Sequence, residues 1–326
     1  MSVGDAATDV FIRLIKGCFD VRHDERGRWL QFPFGEKVPF DCARTVEAGG
    51  NAANAAVGFA RLGLSTALVA HVGSDQIGRD MQAALHREGI DTRFMRFDPG
   101  TASNRKFVLW AGEDRTILVR HEIYDYHWAH LRPKEVPRWI YLSSVGSDAV
   151  EYYGQLAEWL SSEPAVNFAF QPGTFQIAQG PEVLGMLYRR AQVLICNREE
   201  AAELDGGDHG DVPDLLNRLH RLGPRTVVVT DGPAGAFASD GVRQFSVPAY
   251  PDPSPPMERT GAGDAFASTL VGALAKGHPL EVALAWAPVN AMSVVQNVGS
   301  QTGLLREEDL VHLVECAPAS YAIDRS

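Results

Sequence analysis

Short runs rich in apolar and β-branched residues, at 66–72, 139–144, 165–170, 191–196 and 226–230, are interleaved with segments of helical periodicity at 51–62, 76–88, 150–160, 181–190 and 213–222. This alternation constrains the fold more than any other feature. Runs without polar alternation are strands covered on both faces, and helices between them supply the cover, so the pattern predicts an α/β unit around a central, mostly parallel sheet. After Pro256 the chain reads as helical almost to its end, at 261–276, 280–296 and 307–315.

Two stretches break the rhythm. Residues 11–46 and 92–128 carry strand-like pieces (RFMRF, RKFVLW, RTILVR), which predict a small separate β-sheet. Such a sheet can act as a lid over a site. It can equally serve as a dimerisation surface or an edge decoration.

The 326 residues suffice for two domains or one large α/β unit with an appendage, and 45% hydrophobic against 22% charged residues is a globular balance that excludes disorder. A formal charge of −11 leaves no general attraction for nucleic acid or anionic membrane. Neither is expected as a partner. The four cysteines are widely spaced with no CxxC pair, so neither a zinc site nor a disulfide framework is signalled. With an acid-bearing N-terminal stretch unlike a leader and no run of about 18 apolar residues, a cytoplasmic location is expected.

The most informative stretch is ERTGAGDAFASTLVGALAKG at 258–277. Gly261, Ala262 and Gly263 let backbone N–H groups converge at the start of a helix, where the helix dipole also favours an anion. Asp264 follows in the first turn, placed to accept a proton from a hydroxyl. Alternatively, Asp264 is only a partner for the dipole beside a packing turn. A dinucleotide GxGxxG would need glycine where Phe266 stands, and no lysine follows a glycine, which disfavours a P-loop.

A second glycine stretch, AGGNAANAAVGFARLG at 48–63, places Gly49 and Gly50 before a helix whose Asn51 and Asn54 lie one turn apart. Amide side chains both donate and accept, which suits a polyol. A tight strand-to-helix turn would use the same residues.

GGNAAN followed some two hundred residues later by TGAGDAF resembles the paired signatures of the ribokinase-like (PfkB) carbohydrate kinases. Further matches fall in order: Asp9 in TDVF, GEDRTIL, NREE, VVVTDGPAGA and VNAMSVVQNVGSQTG. The resemblance covers nearly the whole chain, and so implies a single ribokinase-like kinase domain over 1–326 with lid excursions near 11–46 and 92–128. It implies transfer of the γ-phosphate of ATP, with Mg²⁺, to a hydroxymethyl group of a sugar or sugar-like acceptor. An adenosine-like nucleoside is the alternative acceptor, and a catalytically silent binding relative is the alternative of another class.

On that resemblance Asp264 is the base and Gly261, Ala262 and Gly263 form the anion hole. Asp9, Gly49, Gly50 and Asn54 hold the acceptor. Asn197 and Glu200 stand near the nucleotide phosphates, with Glu200 meeting Mg²⁺ through water. Thr230, Gly232 and Gly235 line the nucleotide site and Asn290 borders the adenine pocket. The family's Asp-Thr-Thr approach reads Glu258, Arg259, Thr260 here, which puts K⁺ activation in doubt and adds Arg259 as a phosphate contact. Gln171 stands where relatives often carry an acid or asparagine. HEIYDYHWAH at 121–130 lacks metal-ligand spacing and reads as the end of the lid sheet and a loop, its aromatics serving as core or subunit contact. A homodimer through the lid is a further expectation.

Overall fold

The computed structural model describes all residues except 26, 113, 208–209 and 326. Glu113 of the GEDRTIL stretch therefore lies outside the described residues. In chain order the elements are β1 (Ser2–Val3), β2 (Ala7–Leu14), β3 (Asp20–Asp24), β4 (Gly27–Gln31), β5 (Phe40–Gly49), α1 (Asn51–Arg61), β6 (Leu68–Gly73), α2 (Gln76–Arg87), β7 (Met95–Asp98), β8 (Arg105–Ala111) and β9 (Asp114–Arg120). Then follow β10 (Trp139–Leu142), α3 (Val150–Ser162), β11 (Asn167–Phe170), α4 (Thr174–Arg190), β12 (Val193–Asn197), α5 (Arg198–Leu204), α6 (Val212–His220) and β13 (Thr226–Thr230). The chain closes with β14 (Ala236–Ser239), β15 (Gln244–Val247), α7 (Ala262–Ala275), α8 (Leu280–Val295), α9 (Glu307–Glu315) and β16 (Asp324–Arg325).

Among the described residues the main sheet runs β16-β15-β14-β13-β12-β11-β10-β1-β6-β7. From β13 to β7 the pairs are parallel, and β14, β15 and β16 extend it antiparallel. Successive strand residues divide between the faces. Ile140, Leu142, Phe168, Phe170, Leu194, Val227 and Val229 pack with α3, α4, α5 and α6, whereas Tyr141, Ala169, Val193, Ile195 and Val228 pack with α1, α7 and α8. This is the both-faces burial that the uninterrupted apolar runs predict.

A separate four-stranded sheet, ordered β5-β2-β8-β9, and a β3–β4 hairpin take up the two excursions. One expectation is corrected: the RFMRF piece does not join the small sheet. Met95–Asp98 pairs parallel to β6 as the edge of the main sheet, completing a β6–α2–β7 crossover. A second correction concerns α4, which starts at Thr174 and breaks at Gly180 (φ 77°), so Pro181 begins only its second part. Tyr124 and Tyr126 in the loop after β9 are buried in the core and Trp128 packs against it. No helix among the described residues is long and apolar enough to cross a membrane.

Candidate active site

The carboxyl ends of the parallel strands, the N-terminus of α7 and the inner face of the small sheet enclose a cavity of about 290 Å³. Asp9, Gly50, Asn51, Asn54, Lys106, Arg115, Gln171, Asn197, Glu200, Thr230, Arg259, Gly261, Gly263 and Asp264 line it. A second, largely apolar cleft of about 430 Å³ adjoins it, walled by Gly232, Pro233, Gly235, Tyr250, Ala262, Phe266, Pro288, Ala291, Met292 and Val295. Thr230, Arg259 and Gly263 belong to both. The two form one continuous groove, and the α7 turn stands at their junction.

That turn is built around Gly261, whose φ of 88° is left-handed. A Cβ there would lie 2.7 Å from Ser300 Cα, so glycine is required for space as well as for conformation. The amides of Gly261, Gly263 and Asp264 have no acceptor among the described residues. Three free N–H groups at a helix N-terminus present positive potential to any anion at the junction.

Asp264 is 7% exposed. Asn51 Nδ2 donates to its Oδ1 at 2.9 Å and Asn54 Nδ2 to its Oδ2 at 2.7 Å. Burial raises its pKa, an effect opposed by these two amides and by the charge of Lys106. The carboxylate is thus fixed in orientation and more basic than a free aspartate. Asn54 is itself held: its Oδ1 accepts from Ser300 Oγ at 2.9 Å and Gln301 Nε2 at 3.0 Å.

Asp9 lies on β2, in the small sheet, and is 3% exposed. Burial pushes its pKa up to about 6 despite the nearby Lys106 charge, and its Oδ1 finds no hydrogen-bond partner among the described residues. Gly49 makes room for it, because a Cβ at that position would overlap the Asp9 carboxylate. Gly50 caps α1 and lines the cavity.

Asn197 and Thr230 are register partners at the ends of β12 and β13. Asn197 Oδ1 accepts from the Glu200 amide at 2.8 Å and Glu200 Oε2 accepts from the Asn197 amide at 2.8 Å, a reciprocal cap of α5. Burial raises the pKa of Glu200, with Asp264 adding to the rise. One carboxylate oxygen remains for a ligand in the cavity. A Mg²⁺ that keeps most of its waters fits this donor set, whereas a cation stripped to protein ligands does not: no cluster of three His, Cys, Asp or Glu capable of holding a metal occurs among the described residues.

Glu258 is buried at 3% exposure. Its oxygens accept from Thr260 N at 2.8 Å and Thr260 Oγ1 at 2.6 Å, and Arg115 Nε from β9 approaches at 3.3 Å. Tyr141 donates its hydroxyl to Gln171 Oε1. Asn290 stands apart: fully buried, it donates to Thr269 Oγ1 at 2.7 Å and accepts from the Leu305 amide at 2.9 Å, joining α7, α8 and the following loop. Its helix neighbours Ala291 and Met292 line the apolar cleft, and Asn290 does not.

The sequence reading left Lys106, Arg115, Ser300 and Gln301 out of the site. The two cations stand at alternate positions with Val108 and Ile117, and all four line the cavity. Period-two alternation marks them as one face of each strand. Which face meets the groove depends on how the sheet docks, and that is not local information.

Over 318 residues the chain is 25% identical to the 5-dehydro-2-deoxygluconokinase of Bacillus subtilis, covering 92% of this chain and 94% of that protein. It is 29% identical to the fructokinase of Klebsiella pneumoniae over 89% of this chain and 94% of the relative. The fold is shared with the ribokinase of Arabidopsis thaliana solved with ribose and ATP, at TM-score 0.75 and 19% identity over 96% of this chain and 97% of that one. The pfkB family carbohydrate kinase model matches residues 41–307, and the chain belongs to that family of sugar kinases.

Proposed function

We propose that this protein transfers the γ-phosphate of ATP, carried with Mg²⁺, to a hydroxymethyl group of a sugar or sugar-like acceptor, and that Asp264 is the base. The observation that carries this reading is the position of Asp264. It stands at the junction of a polar and an apolar cleft, beside three unclaimed amides, with both oxygens oriented by asparagines. The whole chain then works as one kinase unit with the small sheet as its lid.

In this reading the apolar cleft takes the adenine ring, with Gly232 and Gly235 on one wall and α8 on the other. Arg259 and the free amides of Gly261, Gly263 and Asp264 hold the phosphates, whereas the Ala262 amide, expected in the anion hole, donates to the Arg259 carbonyl at 3.4 Å. The acceptor lies in the polar cavity, one hydroxyl directed at Asp264 and another donated to Asp9 Oδ1. Asp264 takes the proton as the oxygen attacks, and the preorganised amides stabilise the charge on the transferring group. Val108 and Ile117 of the lid exclude water that would otherwise accept the phosphate. Mg²⁺, when bound, neutralises phosphate charge, and Glu200 with Asn197 supplies the protein side of its water shell. Because Thr260 and Arg115 occupy Glu258, the reaction proceeds without K⁺.

A sugar fits better than a nucleoside. No aromatic ring lines the acceptor cavity among the described residues, and Tyr124 and Tyr126 point into the core. Exposed Phe34, Phe40, Trp29, Leu118 and Ile123 give the lid region an apolar surface on which a second copy would pair. Free Cys18, Cys42, Cys196 and Cys316 accord with a cytoplasmic setting.

The test is a coupled ADP-release assay over neutral sugars, sugar acids and nucleosides, with Asp264→Asn as control. Turnover with a sugar-type acceptor that Asp264→Asn abolishes supports the assignment. Turnover indifferent to that substitution removes Asp264 as base. Acceptor binding without any ADP release would instead make the protein a silent binder.

A further inference from the structure

In the acceptor cavity most polar groups are already committed. Asn51 and Asn54 donate to Asp264, Gln171 accepts from Tyr141, and Arg115 faces Glu258. Two are left. Asp9 Oδ1 is buried without a partner, and the Lys106 ammonium makes no hydrogen bond or ion pair with the described residues although it lines the same cavity. Asp9 and Lys106 are register partners on the adjacent parallel strands β2 and β8, so their side chains leave the same face of the lid side by side.

A ligand that satisfies this pair must donate to Asp9 and offer oxygen lone pairs to Lys106. An ammonium has donors only, and a carboxylate answers it far better than a hydroxyl once water is excluded. The phosphates of a nucleotide are not the intended partner. Lys106 does not reach the apolar cleft, whereas Arg259 borders both cavities and stands with the free amides where the phosphates pass. We propose that the acceptor is an acidic sugar, with Asp9 holding a hydroxyl and Lys106 holding the carboxylate. Lys106 is then the specificity-determining residue of the cavity. This rests on reading the cavity as the acceptor site of a kinase.

The test compares matched ligands that differ only in carboxylate against hydroxymethyl at C1. D-gluconate, 2-dehydro-3-deoxy-D-gluconate and 5-dehydro-2-deoxy-D-gluconate are each set against the C1-reduced counterpart. Binding is read by calorimetry in the presence of Mg²⁺ and a non-hydrolysable ATP analogue, and turnover by ADP release. At least one acid is expected to bind about tenfold or more tightly than its counterpart, a ratio that Lys106→Met brings to about one and Lys106→Arg largely retains. Counterparts that bind as well as every acid, or a ratio unchanged in Lys106→Met, overturn the proposal. Acid binding that depends on Lys106 but yields no ADP keeps the carboxylate assignment and sinks the kinase reading. Turnover of neutral sugars alone does the reverse.

Discussion

Asn54 donates to Asp264 Oδ2 at 2.7 Å while its own oxygen is clamped by Ser300 and Gln301. One amide therefore ties three distant parts of the chain to the orientation of a single carboxylate. Its donated bond favours the charged form of Asp264, against the burial that disfavours it. In Asn54→Ala the pKa of Asp264 should rise further. The proposed base is then protonated over a wider range, so the acid limb of kcat/KM should move to higher pH. kcat should fall about tenfold at neutral pH, and a pH–rate profile reads both effects. An acid limb that stays in place would show that another group titrates.

Gly261→Ala combines a left-handed φ with a Cβ against Ser300. The turn must shift, costing about 1–3 kcal/mol of stability and moving the free amides off the proposed phosphate path. Urea denaturation should record the first. A drop in kcat larger than the change in acceptor KM should record the second.

Arg115 places a fixed cation beside Glu258. Rates in potassium, sodium and choline buffers are expected to agree within about twofold, because no carboxylate at this turn awaits an inorganic ion. Strict potassium dependence would mean that Arg115 withdraws during turnover.

Arg259 borders both halves of the groove. Removing its charge in Arg259→Ala should raise KM for ATP about fivefold to tenfold, the loss of one charge-assisted phosphate contact. Unchanged ATP kinetics would place this side chain in solvent throughout the cycle.

Asp5 is a buried acid that accepts from Tyr126 at 2.9 Å, its other oxygen without a partner among the described residues, and burial pushes its pKa up to about 7. The folded state thus binds a proton that the unfolded chain releases near 3.8, and stability contributed here is lost as pH rises from that value through about 7. Asp5→Asn removes the pH-dependent part. Its stability relative to the parent should therefore grow between pH 5 and pH 8, by on the order of 2 kcal/mol, as followed by urea denaturation at both pH values.

Much of this architecture was legible in the residues. Uninterrupted apolar runs identified the strands of the main sheet from β6 and β10 to β13, and the glycine turn before Asp264 marked the helix whose amides stay free. Asn51 and Asn54, read as ligands for a polyol, turn out to bond Asp264. Their reach depends on α1 and α7 packing together, and local spacing cannot convey that. RFMRF was misassigned because an edge strand that is half exposed looks like a lid strand. Asn290 shows the opposite failure: its helix neighbours Ala291 and Met292 line the apolar cleft, but the helix rotation that points Asn290 itself at Thr269 depends on tertiary packing.

The division of labour between the two sheets has an evolutionary corollary. The proposed base Asp264 and its glycine turn belong to the α/β body, whereas Asp9, Lys106, Val108, Arg115 and Ile117 sit on strands of the smaller layer, whose ladder is made by backbone hydrogen bonds. Exchanges at every second position there can retune what the enzyme accepts without disturbing how it reacts. A lineage built this way can diversify its diet while its chemistry stands still.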